Sequence, residues 1–235
     1  MERFCPFYQK GARMKTICYA THNANKIEEM QRWLADYAVQ VVGPDTFNVP
    51  LIVEETADSP CGNALLKARV GFAQTHMACI GQDSAFQFLD LDPQDPDQPG
   101  LYVRRKDGVH EMSDDEMLTH YQRLAHRHGG RLMAAYLDGW AVVDETGQEA
   151  VFQLTDPKLI RAGGFWLCES AHPVRHPGWP LDSLSLDPKT GLYFTEERPD
   201  ERQSSSTRSQ ARKEGLWQTV EFLARSLKLQ RKKAV

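Results

Sequence analysis

The chain lacks a membrane-length apolar run: no uninterrupted apolar stretch in its 235 residues approaches the roughly 20 that a bilayer-spanning helix needs. It also lacks a cysteine framework. Cys5, Cys18, Cys61, Cys79 and Cys168 are odd in number, hold no C-x-x-C pair and follow no regular spacing. That pattern excludes a zinc ribbon or a cross-linked secreted scaffold and fits a reducing cytoplasm. A strong excess of either charge is absent as well. A net charge of −4 offers no global attraction to nucleic acid or anionic lipid, so no stable nucleic-acid partner and no membrane association are expected. No internal repeat is visible. What is present is 41% hydrophobic and 26% charged residues, the composition of a soluble globular chain long enough to bury a sizeable core.

Periodicity predicts an α/β chain. Thr16 to Ala20 reads as a strand, and Ile27, Met30, Trp33 and Leu34 recur at helical spacing. Val39 to Val42 is β-like and ends at the Gly43-Pro44 break, which completes a β-α-β opening. Val49 to Glu55 is expected to be extended, Ala64 to Gln74 helical, and Met77 to Gly81 a short strand ending at Gln82-Asp83-Ser84. An acidic loop, Asp90 to Gln98, precedes a Pro99-Gly100 turn. A helix capped by Ser113 is predicted over Asp114 to His128, a hairpin over Leu132 to Leu154, and a last helix from about Gln210 to Leu229. Ala162 to Pro180, rich in Gly, His and Pro, is expected to be irregular or loop-bearing. The expected division is an N-terminal extension (1–13), one α/β unit (14–229) and a basic tail (230–235).

Between the first strand and the first helix stands Thr21-His22-Asn23-Ala24-Asn25-Lys26. Small polar residues there leave the first helical N–H groups free to meet an anion, the helix dipole favours negative charge, and Lys26 adds a cation. The same residues also suit a plain helix cap with a solvated lysine. Glu54-Glu55-Thr56 and Asp83-Ser84 each close an extended segment. Carboxylates converging on one cleft near Lys26 would suit Mg²⁺ shared with a polyphosphate, and one of them would suit the proton of an attacking water. A solvated pair before a helix and a strand-end cap are the alternative for these acids. His172 and His176 have ligand-like spacing, but their flanking prolines argue against one helical face.

Taken in order, six segments resemble the inosine triphosphate pyrophosphatase family, whose members act on inosine and xanthosine triphosphates. THNANK is similar to its T-G-N-x-x-K loop, and EETADSPCGNALLKAR to its E-E-T segment followed by an N-A-x-x-K-A helix. QDSAF resembles D-D-S-G-L, PGLYVRR resembles P-G-x-Y-S-A-R, GWPLDS resembles G-[FW]-G-[YF]-D-P, and DERQSSSTRSQA resembles E-E-K-x-x-x-S-H-R-x-x-A. The resemblance covers roughly Thr16 to Leu223 and implies a two-lobed α/β unit with a mixed sheet and a central nucleotide cleft. It implies Mg²⁺-dependent cleavage of a deaminated purine nucleoside triphosphate to monophosphate and pyrophosphate, and a homodimer as the assembly such relatives tend to form.

Carried over position by position, Asp83 would be general base and metal carboxylate, with Glu55 its metal partner. Thr21, His22, Asn23, Lys26 and Ser84 would lie along the phosphates. Trp179 and Asp182 would face the base, and Arg202, Thr207 and Arg208 would complete the nucleotide contacts. A purine offers a face for an aromatic ring to stack on, and inosine or xanthosine a ring N–H for a carboxylate. The departures are His22 for glycine, Gln82 for the first acid of D-D-S, Ala85 for glycine, Arg202 for lysine and Thr207 for the histidine of S-H-R. Pro180, Leu181 and Ser183 alter the base loop. These motivate two alternatives: the same chemistry on a different or modified nucleotide, and a nucleotide-binding regulator without activity.

Overall fold

The computed structural model describes residues 14–106, 110–196 and 207–232. Strand β1 (Lys15–Tyr19) buries Ile17 and Cys18 completely. The chain then turns at Asn23, whose side-chain oxygen accepts the backbone N–H groups of Asn25 and Lys26 and so starts helix α1 (Ala24–Trp33). Strand β2 (Val39–Val42) returns parallel to β1, from Lys15↔Val39 to Cys18↔Val42. The expected β-α-β opening is therefore present.

A 3-10 turn (Pro44–Phe47) and a stretch without a strand partner among the described residues lead to helix α2 (Pro60–Thr75), capped by Ser59. Strand β3 (Cys79–Phe88) follows, then a small hairpin of β4 (Arg105–Lys106) and β5 (His110–Glu111). Helix α3 (Asp114–Arg127) opens with a reciprocal capping box between Ser113 and Glu116. Strand β6 (Arg131–Val143), strand β7 (Glu149–Gln153), helix α4 (Pro157–Gly163) and strand β8 (Phe165–Cys168) come next. A second 3-10 turn (Pro180–Ser183), strand β9 (Ser185–Leu186) and helix α5 (Thr207–Ser226) complete the described elements.

Seven strands form one mixed sheet in the order β2-β1-β3-β6-β8-β9, with β7 also on β6. The long antiparallel pair β3–β6, from Cys79↔Val143 to Phe88↔Ala134, is its spine. On the far side β6 forks, holding β7 along Gly139 to Val143 and β8 along Arg131 to Ala134. Two apolar cores sit along this spine. One gathers Ile17, Val41, Ile80, Val142, Leu223 and Leu227, and the other gathers Phe86, Phe88, Tyr121, Phe165, Leu167 and Leu184. Each fully buried side chain of this size contributes about 1.5–3 kcal/mol, so both halves have a core of their own.

Two expectations are corrected. β3 does not stop at Gly81 but runs through Gln82, Asp83 and Ser84 to Phe88, because their polar side chains find partners on both faces of the sheet. Ala162 to Pro180 is not wholly irregular, since Phe165 and Leu167 are buried and make β8. The region after α5 also folds back: Gln230 O accepts the N–H of Ala38, and the N–H of Lys232 reaches Asp36 O. Residues 1–13, expected to form an extension, lie outside the described residues.

Helix α2 lies unusually close to the spine. A Cβ built on Gly81 would stand 1.9 Å from Ala64 O, and one on Gly139 would stand 2.3 Å from Cys61 N. Only hydrogen at these two positions permits that approach.

The β6–β7 turn is held by Asp144, which is buried and accepts from Thr146 Oγ1, from the N–H groups of Thr146 and Gln148, and from Lys228 Nζ at 2.9 Å. The Thr146 hydroxyl, then the Lys228 ammonium and the backbone N–H groups hold its carboxyl well below the ordinary carboxylate range. A depressed folded pKa stabilises the fold above the unfolded value and is lost as pH falls through the folded one. Asp144→Asn is thus expected to melt earlier than the parent at neutral pH, with the difference narrowing from about pH 5 to about pH 2. Thermal melts across that range check it; a gap that stays constant would count against the assignment.

Candidate active site

β1 reaches β3 only at Cys18↔Cys79 and Tyr19↔Ile80, and Gly100 pairs with Phe86 further along. Between those two points the edge of β3 away from β6 has no strand partner among the described residues. Phe86 exchanges both backbone bonds with Gly100, so Ser84 and Gln82, two and four residues earlier, turn their backbone groups to the same side. A cavity of about 250 Å³ lies along this open edge. Its wall includes Lys26, Glu55, Asn63, Asp83 and Ser84, closed by Leu101 to Arg105.

Because the edge is open, side chains from both faces of the sheet reach the cavity. Asp83 points to the face covered by α2. Its Oδ2 accepts from Asn63 Nδ2 at 3.0 Å and its Oδ1 from Lys67 Nζ at 2.8 Å. Asn63 is itself oriented by the Ala57 N–H, which donates to its Oδ1 at 3.0 Å. Lys67 Nζ also meets Glu55 Oε1 at 2.9 Å and Gln82 O at 3.3 Å. Burial acts to lower the Lys67 pKa, but its hydrogen bonds to Asp83 and Glu55 outweigh that and raise it. The ammonium therefore stays charged across the neutral range, between two carboxylates.

On the opposite face, Lys26 Nζ donates to Gln82 Oε1 at 2.7 Å. Gln82 Nε2 donates to Ser84 Oγ at 2.7 Å and to Asp138 Oδ1 at 3.1 Å, and the Ser84 hydroxyl donates to Asp138 Oδ1 at 2.5 Å. Burial lowers the pKa of Lys26, and the charge of Asp138 is the largest influence working the other way.

The residues of the loop from Thr21 to Lys26 are placed less uniformly. Asn23 spends its side-chain oxygen on the α1 cap, and Thr21 Oγ1 accepts the Asn23 N–H at 3.2 Å. His22 turns to a neighbouring loop: Nδ1 lies 2.8 Å from Asp45 Oδ1 and Nε2 3.1 Å from Pro50 O. Both partners accept, so the two contacts are hydrogen bonds together only when both ring nitrogens carry hydrogen, as in the imidazolium form. The bond to Pro50 O, then that to Asp45, raises its pKa. This link between the loop and the segment leading to Glu55 is complete at acidic pH and lost as pH rises through the raised value. NMR titration is expected to place the His22 midpoint above the unperturbed ~6.5, and Asp45→Asn to bring it back down. A midpoint at or below that reference would remove the clasp.

Trp179 and Asp182 do not line the cavity. Trp179 is exposed, and Asp182 Oδ2 lies 3.5 Å from His176 Nδ1. Their loop is tied to the rim through Asp114, which accepts from Arg104 Nη1 at 2.9 Å and from the Gly178 N–H at 2.8 Å. Arg202 lies outside the described residues, as do the side chains of Thr207 and Arg208.

Three residues take a place in the site that the sequence does not assign them, although Asn63 and Lys67 are the N and K of the N-A-x-x-K-A match. Asn63 and Lys67 stand four apart in α2, a spacing that puts both on one helical face, so the signal was available. Asp138 gave a fainter one, as the lone carboxylate in the otherwise apolar run Leu132 to Val143.

The donor set fits a divalent cation. Glu55 and Asp83 each bring an oxygen within 2.9 Å of one cationic centre, Lys67 Nζ, and Mg²⁺ takes one or two carboxylates with waters and phosphate oxygens rather than a full protein cage.

Fold and cleft define an α/β protein built on a forked mixed sheet, with carboxylates and cationic side chains at an open strand edge. The family model of the Ham1 family matches residues 17–214, and the chain belongs to that family. It is 30% identical over 200 residues to the dITP/XTP pyrophosphatase of Nitratidesulfovibrio vulgaris, spanning 83% of this chain and 91% of that protein. The dITP/XTP pyrophosphatase of Coxiella burnetii is 26% identical over 207 residues, with 84% and 93% covered. Among solved structures, the Staphylococcus aureus Ham1 protein superposes with a TM-score of 0.65 at 20% identity, covering 90% of this chain and all of that one. A HAM1 protein from Coxiella burnetii gives 0.64 at 23% identity, with 90% of this chain covered. The α/β fold and the family read from the six motifs are thus borne out.

Proposed function

We propose that this chain is a nucleoside triphosphate pyrophosphatase that hydrolyses deaminated purine nucleotides, such as those of inosine and xanthosine, to the monophosphate and pyrophosphate. Family membership and the relatives' names support hydrolysis of a nucleoside triphosphate. The observation that carries the reading is the Glu55–Lys67–Asp83 constellation at the wall of the cavity, with Lys26 opposite.

The cavity is smaller than a whole-ligand pocket and suits the phosphate end, leaving the base at the rim near Trp179 and Asp182. Lys26 binds phosphate oxygens. Asp83, held by Asn63 and Lys67, accepts the proton of the attacking water as the bond between the α- and β-phosphates breaks and pyrophosphate leaves with its electron pair. Glu55 and Asp83 would hold Mg²⁺, which when bound neutralises phosphate charge and polarises the P–O bond.

A second reading, the same chemistry on another base, is favoured by His176, whose ring stands 3.5 Å from the carboxylate that would read the purine N–H. A panel of inosine, xanthosine, guanosine and adenosine triphosphates with Mg²⁺ and pyrophosphate detection separates the two. Inosine and xanthosine triphosphates are expected to lead adenosine triphosphate, whose base lacks that N–H, in kcat/KM by at least about tenfold. Guanosine triphosphate, which keeps it, reports on whether the site also rejects the 2-amino group. Equal turnover of all four would favour the second reading, and binding without turnover of any would remove both.

A further inference from the structure

We propose that Asp138 is a positioning residue of the phosphate site, supplying through Gln82 and Ser84 the negative charge that keeps Lys26 aimed at the cavity. This rests on the reading of Lys26 as a phosphate-binding group. Asp138 lies directly across from Ser84 in the β3–β6 register, so its carboxylate falls on the face that carries Gln82, Ser84 and Lys26.

The hydrogen-bond inventory fixes the direction of every link. The Lys26 ammonium only donates, so the Gln82 amide must turn its oxygen toward it. The amide nitrogen then has two hydrogens to place, and they go to Ser84 Oγ and Asp138 Oδ1. The Ser84 hydroxyl gives its single hydrogen to Asp138, which leaves its lone pairs for Gln82. One acceptor-only group at the end of the chain thus orients three side chains. An amide at position 138 would permit Ser84 and Gln82 to turn over, and the Gln82 NH₂ would then face the Lys26 ammonium. Position 82 is where the family resemblance has an acid, and the charge missing there is found one strand away. The other charges around Lys26 divide: Asp83 and Glu29 support its proton, and Lys67 opposes it.

Calorimetric titration of the full chain with inorganic tripolyphosphate tests this in a double-mutant cycle. Asp138→Asn is expected to weaken binding about five- to tenfold, the loss of one charge-assisted orientation. Gln82→Glu in the Asp138→Asn background is expected to restore affinity to within about twofold of the parent, because it returns the carboxylate to the Lys26 side. Gln82→Glu alone, which sets two carboxylates together, is expected not to tighten binding. A residue with a merely structural role would lower the melting temperature without rescue by Gln82→Glu. Asp138→Asn binding within about twofold of the parent, or a double variant no tighter than Asp138→Asn, overturns the proposal. A parent that binds tripolyphosphate but turns over no nucleotide sinks the hydrolase reading and leaves Asp138 standing. A parent that binds none overturns both.

Discussion

Asp83→Asn is expected to lower kcat by roughly 10²–10⁴-fold at saturating Mg²⁺ while leaving the melting temperature close to that of the parent. Asparagine keeps the shape of the side chain, so α2 stays seated and Asn63 or Lys67 retains one acceptor there. What it loses is the capacity to take a proton and half of the negative charge around Lys67. Loss of the base affects the chemical step while Lys26 still binds the phosphates, so at saturating Mg²⁺ the effect should fall on kcat more than on KM. The Mg²⁺ concentration needed for half-maximal rate should rise, because one of the two carboxylates that would hold the metal is gone. Steady-state kinetics with pyrophosphate detection, beside a binding titration, separate the two. A variant within tenfold of the parent would mean that the base lies elsewhere in the cleft.

Gly81→Ala should produce the largest loss of stability. The added Cβ meets the carbonyl oxygen of Ala64 and, at 2.9 Å, the backbone nitrogen of Ala68, so no flexible side chain can yield and the helix backbone itself must move. Overpacking of this kind costs about 1–3 kcal/mol and occasionally more. For a chain of this length each kcal/mol lowers the melting temperature by roughly 2–4 °C. Activity should fall as well, because the displaced helix carries Asn63 and Lys67 away from Asp83. Gly163→Ala, where a new Cβ meets nothing nearer than 3.9 Å, is the matched control and is expected to change stability by no more than about 0.5 kcal/mol. Equal melting temperatures for the two variants would show that α2 has room to spare.

The opening β-α-β unit and helix α3 were legible because their signals are local: helical spacing at Ile27, Met30 and Leu34, and the capping serine Ser113 ahead of Met117, Leu118, Tyr121 and Leu124. β3 was read too short because Gln82-Asp83-Ser84 looks like a loop to any scale of hydropathy. Its strand character depends on partners from α1, α2 and β6, which are 15 or more residues distant in sequence. β8 was missed for a different reason. Four residues beside Gly163-Gly164 carry too little periodicity, and only packing against β6 selects the extended state. In the site, motif order brought Lys26, Glu55, Asp83 and Ser84 to one cavity, whereas the turn of His22 toward Asp45 and Pro50 follows from the loop's path and has no local signature.

The open edge of β3 has a consequence for how the protein behaves in a crowded solution. A row of unpaired backbone groups is a template on which a foreign strand can add, and from there molecules can stick together. Here the row is short, bounded by Ile80 and Phe86, and the Lys67 ammonium already takes Gln82 O. A bound triphosphate would occupy the same edge and block any approaching strand. Ligand-saturated protein should therefore resist heat-induced clumping better than its gain in melting temperature alone accounts for.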